Sequence, residues 1–269
     1  MGIVAVRGVD LYYEHYQGGS PRVLWISGTG ADLRQNPLRG KGPLERQNDV
    51  LMYDQRGLGR SAKPDQPYSM ADYADDAAAL MDTIGWSSAH VLGVSFGGMV
   101  AQHLALRHPE RVAKLVLACT SSGGAGGASG DLLELSSLPP DEALKARLQL
   151  MDSRNDFSVD PPRYAPKLAP IAERMSQPPL NSDDPDASIG ARRQLEARSA
   201  HNTWDRLGEI TAPTLVIGGR YDRQAPPENL RNLAAAIPSA RVELFDGGHF
   251  FLLQDPAAWD AINAFIAHG

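Results

Sequence analysis

Residues 89–107 read AHVLGVSFGGMVAQHLALR, and this stretch decides the fold. Its first part is a short apolar run typical of a buried strand, and FGGMVAQHLALR continues as a helix. Ser95 lies between them in Gly93-Val94-Ser95-Phe96-Gly97, the pattern G-x-S-x-G. A strand that turns directly into a helix brings two backbones close together, and glycines there remove the Cβ atoms that would collide. The pattern predicts a sharp turn that presents the Ser95 hydroxyl.

Strands and helices alternate on both sides of this turn. The predicted strands cover residues 10–17, 22–27, 49–54, 89–94, 114–119, 213–218 and 241–245. The predicted helices cover residues 68–84, with Ser69 as the N-cap, and residues 96–107, 227–237 and 256–267. Short apolar strands that alternate with helices predict an α/β fold with a mostly parallel sheet flanked by helices.

The alternation stops in the middle of the chain. Residues 121–130 (SSGGAGGASG) are rich in glycine and serine and are expected to be flexible. Residues 131–205 have a largely helical pattern that proline pairs interrupt. We therefore predict a core formed by residues 1–121 and 208–269, with residues 122–207 inserted as a helical cap.

The composition excludes several classes of protein. The 269 residues contain 26 Lys and Arg against 32 Asp and Glu, a formal charge of −6. Because nucleic acids and anionic membranes attract basic proteins, neither is expected as a partner. The single cysteine, Cys119, leaves no internal disulfide and favours a cytoplasmic location. No secretory signal and no membrane-spanning run is found, and we expect a monomer or homodimer that acts on a small molecule.

Ser95 needs a base before its hydroxyl becomes a good nucleophile. His249 follows the last predicted strand, and the carboxyl ends of parallel strands meet at one edge of a sheet. Asp222 follows the preceding strand and is the expected partner of the imidazole. Asp246 is the alternative acid, but its position three residues before His249 suits a turn better. We predict Ser95, His249 and Asp222 as the catalytic residues.

The second requirement of such a site is a pair of donors for an oxyanion. The first predicted parallel strand ends in Ser27-Gly28-Thr29-Gly30, a short loop that turns backbone N–H groups towards Ser95. We assign the oxyanion hole to the backbone N–H groups of Thr29 and Phe96. A shift by one residue would replace Thr29 with Gly30. The sequence calls for no cofactor, and no spaced cluster of ligands predicts a metal site.

Together these motifs resemble the α/β-hydrolase superfamily, over about residues 2–121 and 208–269. Asp54-Gln55-Arg56-Gly57-Leu58-Gly59-Arg60-Ser61 is similar to a structural loop of that group, and HPERVAKLVLACT and DGGHFFLLQDP also match it. The elbow and the segment SGTGADL resemble small esterases and enol-lactone hydrolases. The resemblance implies a serine hydrolase that cleaves a small carboxylic ester or lactone.

Other functions remain open on the sequence alone. The same residues could hydrolyse a carbon–carbon bond of a diketone, or act on a polyketide-like substrate in biosynthesis. Asp54-Gln55-Arg56-Gly57 also resembles the proline iminopeptidases, and some members of the superfamily are receptors without activity. Candidate pocket residues are Trp25, Gly28, Arg198 and His201.

Overall fold

A mixed sheet with helices on both faces carries the site. The computed structural model describes residues 1–36, 40–177, 180 and 183–267. In these ranges the sheet has eight strands in the order β1-β2-β4-β3-β5-β6-β7-β8. The strands are β1 Gly2–Val6, β2 Val9–Gln17, β3 Arg22–Ile26, β4 Asp49–Tyr53, β5 Ala89–Val94, β6 Val112–Ala118, β7 Thr214–Gly219 and β8 Ala240–Phe245. The pairs β1/β2 and β2/β4 are antiparallel and the other neighbours are parallel, which confirms the predicted sheet.

The helices divide into those that cover the sheet and those of the insertion. They are α1 Met70–Ile84, α2 Phe96–Arg107, α3 Leu132–Leu135, α4 Pro140–Met151, α5 Ala169–Met175, α6 Ala187–Ser199, α7 Pro227–Ala236, α8 Phe251–Gln254 and α9 Ala257–Ala267. Side chains of α1, α2 and α7 form the apolar core on one face of the sheet. Side chains of α8 and α9 belong to the core on the other face.

The strand sequences explain this three-layer packing. In β5, Val91 belongs to the core on the α2 side, whereas the next residue, Leu92, belongs to the core on the α9 side. Both side chains are fully buried. A strand covered on both faces reads as a continuous apolar run rather than an alternating one, which is why these strands were predictable.

The ends of α1 follow from its sequence. Ser69 and Asp72 form a capping box, in which the Asp72 N–H donates to Ser69 Oγ and the Asp72 carboxylate accepts from the Ser69 N–H. This confirms Ser69 as the N-cap. Gly85, with φ of 76°, ends the helix in the left-handed conformation that glycine adopts most readily.

The loop of residues 54–61 is held by buried polar contacts. The Asp54 carboxylate accepts hydrogen bonds from the N–H groups of Leu33 and Arg60. The Arg56 guanidinium makes a two-point contact with Asp76 of α1, at 2.6 and 2.7 Å. A bidentate pair of this kind fixes both direction and distance. The loop therefore joins β4 to α1 as a rigid connection.

The insertion lies between β6 and β7 and contributes α3, α4, α5 and α6. The Gly/Ser-rich stretch that precedes it is packed, which corrects the expectation of a flexible linker. Ser121 and Ser122 are buried. Asn229 and Asn232 of α7 donate to the backbone carbonyls of Ala128 and Gly126. Several glycines there have positive φ, so the composition reflects a tight path against the core.

Two further differences from the sequence analysis concern the ends of the chain. β1 was not predicted; it pairs with β2 through a turn at Arg7 and Gly8, both with positive φ. The predicted helix over residues 256–267 corresponds to α9, and the separate short helix α8 precedes it. Within the described residues, no helix combines the length and the hydropathy needed to cross a membrane.

The close contact at the elbow gives a first prediction. A Cβ atom at Gly97 would overlap the backbone carbonyl of Ile26 at the end of β3. Because that neighbour is backbone and has no freedom to move aside, Gly97→Ala should lower the free energy of unfolding by about 3 kcal/mol or more, measured by urea denaturation.

Gly208→Ala is the matched control, since a Cβ at this exposed glycine meets no atom within 4 Å. It should change the free energy of unfolding by less than about 1 kcal/mol. Equal stability of the two variants would contradict the close approach of α2 to β3.

Candidate active site

Ser95 lies at the carboxyl end of β5, directly before α2. Its backbone has φ of 55° and ψ of −116°, a conformation that non-glycine residues rarely adopt. Two contacts hold it there: the Ser95 N–H donates to the Ala118 carbonyl at 2.8 Å, and Thr120 Oγ donates to the Ser95 carbonyl at 2.8 Å.

A chain of hydrogen bonds joins the three residues selected from the sequence. His249 Nε2 lies 2.9 Å from Ser95 Oγ, and His249 Nδ1 lies 2.8 Å from an Asp222 carboxylate oxygen. Because an ionised carboxylate only accepts, Nδ1 carries the proton and Nε2 is left to accept from the serine hydroxyl. This is the tautomer that a general base beside Ser95 requires.

Asp222 is held tightly as an acceptor. Its side chain is fully buried, and its second carboxylate oxygen accepts from the N–H groups of Gln224 and Ala225 at 2.7 and 3.0 Å. Burial raises the pKa of Asp222, while His249 and the two backbone donors oppose that rise. Asp246 lies elsewhere: its side chain is 67% exposed and pairs with Arg154 at 3.0 Å. The structure therefore brings Asp222, and not Asp246, to the imidazole.

The two assigned oxyanion donors flank Ser95. The Phe96 N–H belongs to the first turn of α2, where a helix offers no carbonyl partner. The loop that carries Thr29 approaches from β3, and a Cβ at Gly28 would lie 3.4 Å from Ser95 Cβ. Among the described residues, neither the Phe96 nor the Thr29 N–H donates a hydrogen bond. The Gly30 N–H is already engaged by Gln194 Oε1 at 2.8 Å, which favours Thr29 over its neighbour.

Two glutamines near this loop were missed by the sequence analysis. Gln55 Nε2 donates to the Ser27 carbonyl at 2.8 Å, and Gln194, fully buried on α6, holds Gly30. Gln55 lies inside the 54–61 segment that resembles a structural loop of the superfamily, and this motif is the one sequence feature that could have drawn attention to it. No local pattern marked Gln194, because its contact joins the insertion to a loop far away in sequence.

The insertion also contacts the loops that carry Asp222 and His249. At the end of α4, the carbonyl of Met151 accepts from the His249 N–H at 2.6 Å and that of Leu150 accepts from the Arg223 N–H at 2.9 Å. The Ser153 N–H donates to the Tyr221 carbonyl at 2.8 Å. These three bonds fix the base and its acid relative to the insertion.

The pocket candidates lie in different places. Gly28 adjoins Ser95, as described above. Arg198 and His201 line a cavity of about 140 Å³ between the insertion and α2. Trp25 is a correction: it is 6% exposed and packs against Trp259 of α9, with ring centroids 5.5 Å apart. Its side chain belongs to the core on the α9 side, because alternate residues of β3 point to opposite faces.

His201 is part of a buried polar network behind α2. Its Nε2–H donates to the Ser121 carbonyl at 2.9 Å, so its Nδ1 accepts from His103 Nε2 at 3.2 Å. Gln102 also donates to the Ser121 carbonyl, and Thr203 Oγ donates to Gln102. Because one of the two facing ring nitrogens must lack a proton, the network cannot hold both imidazoles in the charged form.

Comparison with known proteins agrees with this architecture. The family model for the alpha/beta hydrolase fold matches residues 23–256. Rhodomycin D methylesterase DnrP of Streptomyces peucetius is 31% identical over 242 residues, covering 74% of each protein. A 2-hydroxymuconate semialdehyde hydrolase of Pseudomonas putida is 30% identical over 243 residues, covering 89% of this chain and 84% of that protein. The enol-lactonase of Burkholderia xenovorans LB400 superposes with a TM-score of 0.80 at 24% identity, over 99% of this chain and 100% of that one.

The histidine pair should make stability sensitive to acid. Burial lowers the pKa of His103 to about 4 and that of His201 to about 3. In an unfolded chain an imidazole titrates near ~6.5, so below that pH the unfolded state binds protons that the folded state does not. The free energy of unfolding should therefore fall as the pH drops from about 6.5 towards about 4.

The measurement is urea denaturation across this pH range for the wild type and for His103→Gln. The slope of the free energy of unfolding against pH should be smaller in the variant, by up to about 1.4 kcal/mol per pH unit. Carboxylates titrate in both proteins, so the difference between the slopes isolates the imidazole. Identical slopes would mean that His103 binds its proton equally in the folded and the unfolded protein.

Proposed function

The chain belongs to the α/β-hydrolase fold family, and from that premise we propose that it is a serine hydrolase that cleaves a carboxylic ester or lactone of a small molecule. The observation that supports this most is the continuous hydrogen-bonded chain from Asp222 through His249 to Ser95 Oγ. It supplies a nucleophile, a base and a group that orients the base. The methylesterase at 31% identity is consistent with the ester class.

The proposed reaction has two steps. Ser95 Oγ attacks the acyl carbonyl while its proton moves to His249 Nε2, and the imidazolium then protonates the leaving alcohol oxygen. In the second step a water molecule attacks the acyl-enzyme, gives its proton to His249 and releases the acid. His249 then returns the proton to Ser95, so the enzyme is regenerated and one water is consumed. Asp222 keeps the imidazole oriented and stabilises its charged form.

The oxyanion of both steps would be bound by the N–H groups of Phe96 and Thr29. Each donor of this kind typically lowers the barrier by roughly 3–4 kcal/mol. Phe96 N–H is fixed by the start of α2. The Thr29 loop is fixed from both sides, by Gln55 at Ser27 and by Gln194 at Gly30. These glutamines are proposed as positioning residues.

We propose that residues 122–207 act as a cap over the site. The bonds from Met151 and Leu150 to the histidine and aspartate loops support this role. A cap excludes water and shapes the space for the acyl group.

Hydrolysis of a carbon–carbon bond is the second candidate. It is favoured by the 2-hydroxymuconate semialdehyde hydrolase that is 30% identical to this chain. The same Ser95 and His249 would serve either reaction. A substrate panel of esters, lactones and vinylogous diketones separates them, because the kcat/KM values identify the bond that is cleaved fastest.

Replacement of Ser95 tests the proposal directly. Ser95→Ala removes the nucleophile and should reduce kcat for p-nitrophenyl acetate by about 10³-fold or more. The same change should abolish labelling by a fluorophosphonate, detected by the mass of the adduct on the wild-type protein. Thermal unfolding should show that the variant remains folded.

Ser136→Ala is the matched control, since this serine is exposed after α3 and its hydroxyl donates to the Leu133 carbonyl of that helix. It should keep wild-type turnover and labelling. Full activity of the Ser95 variant would sink the proposed mechanism.

Asp222→Asn tests the orienting role. The amide has nearly the same shape but donates a hydrogen bond, so it stabilises the wrong tautomer of His249 and should lower kcat by up to about 10⁴-fold. KM should change much less, because Asp222 is buried and the proposed substrate does not contact it. A proportional rise of KM with unchanged kcat would contradict this assignment. The measurement is steady-state kinetics at one pH.

A further inference from the structure

We propose that the cavity beside α2 binds a carboxylate group of the substrate through Arg198, so that the preferred substrates are esters or lactones with an acidic acyl group. This inference rests on the proposed function, because it defines the substrate class of the same site. It begins with the charge balance of the insertion.

Arg198 is buried without an acidic partner. The residue is only 6% exposed. Within the described residues, its guanidinium donates one hydrogen bond, from Nη2 to Ser129 Oγ, and its Nε has no partner. Arg198 forms no ion pair among the described residues; the carboxylate that acts on it electrostatically is that of Asp131, which lines the same cavity. None of the residues outside the described ranges is an Asp or a Glu. Burying an unpaired cation is costly, so such a group is normally paired or bound to a ligand.

Most other arginines with a buried or half-buried guanidinium have such a partner. Arg56 pairs with Asp76, Arg154 with Asp152, and Arg193 with Asp65 and Glu196. Arg198 therefore differs from these arginines, because it lacks an ion-pair partner among the described residues.

A second guanidinium adds positive charge at the same place. Arg147 of α4 is also desolvated, and burial lowers its pKa. The pKa of Arg198 is lowered to about 10, first by its burial and also by the charge of Arg147. Asp131 acts in the opposite direction, but its carboxylate caps α3 by accepting from the N–H groups of Leu133 and Glu134. The pair of arginines thus leaves a local excess of positive charge for an anion.

The cavity offers room and further donors. It has a volume of about 140 Å³, and its polar lining includes Ser121, Ser129, Asp131, Arg198 and His201, with the Asp131 carboxylate turned to the N–H groups of α3. The buried Ser121 Oγ has no hydrogen-bond partner and joins Arg198 Nε as a free donor. His201 contributes no charge when its Nδ1 accepts from His103 Nε2, and burial lowers its pKa to about 3. Arg198 is therefore the principal cation of the cavity.

The cavity lies close to the nucleophile. Met99, which lines it, is one helical turn from Ser95 and donates its N–H to the Ser95 carbonyl. One turn of helix spans about 5.4 Å. Gln194, one helical turn before Arg198 on α6, holds the Gly30 N–H next to Thr29. With both ends of this link beside the proposed site, a carboxylate held by Arg198 would belong to the same small molecule as the carbonyl that Ser95 attacks.

The test compares two esters of equal acyl length. Mono-p-nitrophenyl adipate carries a terminal carboxylate, whereas p-nitrophenyl hexanoate ends in a methyl group. The wild type should hydrolyse the adipate monoester with the higher kcat/KM. In Arg198→Gln the ratio of the two kcat/KM values should fall by about tenfold to a hundredfold, as expected when a charge-assisted hydrogen bond is lost.

Three more variants control this result. Arg192→Gln removes an exposed cation of the same helix, whose side chain is 56% exposed, and should keep the wild-type ratio. Arg198→Lys should restore part of the preference, and Arg147→Gln should reduce the ratio by a smaller factor than Arg198→Gln. If thermal unfolding shows that Arg198→Gln is not folded, the kcat/KM ratios of Arg147→Gln and Arg198→Lys are compared with the wild-type ratio instead. A ratio that is equal in the wild type and in all folded Arg198 and Arg147 variants would overturn the subsite while leaving the hydrolase proposal intact.

Calorimetry separates failure of the subsite from failure of the proposed function. If the wild type hydrolyses neither ester, titration with adipate alone tests the cavity. Binding that Arg198→Gln abolishes would support the subsite even without turnover. Absence of adipate binding to the wild type at millimolar concentration, together with absence of turnover, would overturn it.

Discussion

The contact between the start of α2 and the end of β3 is the constraint on which the site depends. A Cβ atom at Gly97 would overlap the Ile26 carbonyl oxygen, and one at Gly98 would lie 2.6 Å from Thr120 Cβ. This approach places the first turn of α2 next to the loop that leaves β3. Ser95, the Phe96 N–H and the Thr29 loop then face the same small volume. A helix displaced by the thickness of one methyl group would separate these groups and release the strained backbone of Ser95.

The sequence was sufficient for the parts of the site that follow directly from strands. Ser95, Asp222 and His249 each come just after a predicted parallel strand, and such strands end at a common edge. Their contact therefore needed only the strand assignment and the identity of the residue. By contrast, Trp25 was chosen as a pocket residue because it is aromatic and near the elbow. Its direction depends on strand register, and β3 points it towards α9.

Sequence patterns did not predict the contacts between the insertion and the core. The helical pattern of α6 predicted a helix, but nothing in it showed that Gln194 would reach Gly30. The prediction that the Gly/Ser-rich segment is flexible is wrong for a related reason. Its glycines permit positive φ in a packed loop as well as freedom in a linker, and composition does not distinguish these uses. The hydrogen bonds from Asn229 and Asn232 of α7 to this segment show that it is a packed loop.

One face of α6 links the separate parts of the site. Gln194 and Arg198 are four residues apart and therefore lie on the same side of the helix, while His201 follows in the next turn. Gln194 holds the Gly30 N–H next to Thr29, Arg198 lines the cavity, and His201 connects the helix end to His103 of α2. A shift of α6 would disturb the Gly30 contact and the cavity together, since a helix moves as a unit. The geometry therefore ties the Thr29 loop and the proposed carboxylate subsite to the same helix.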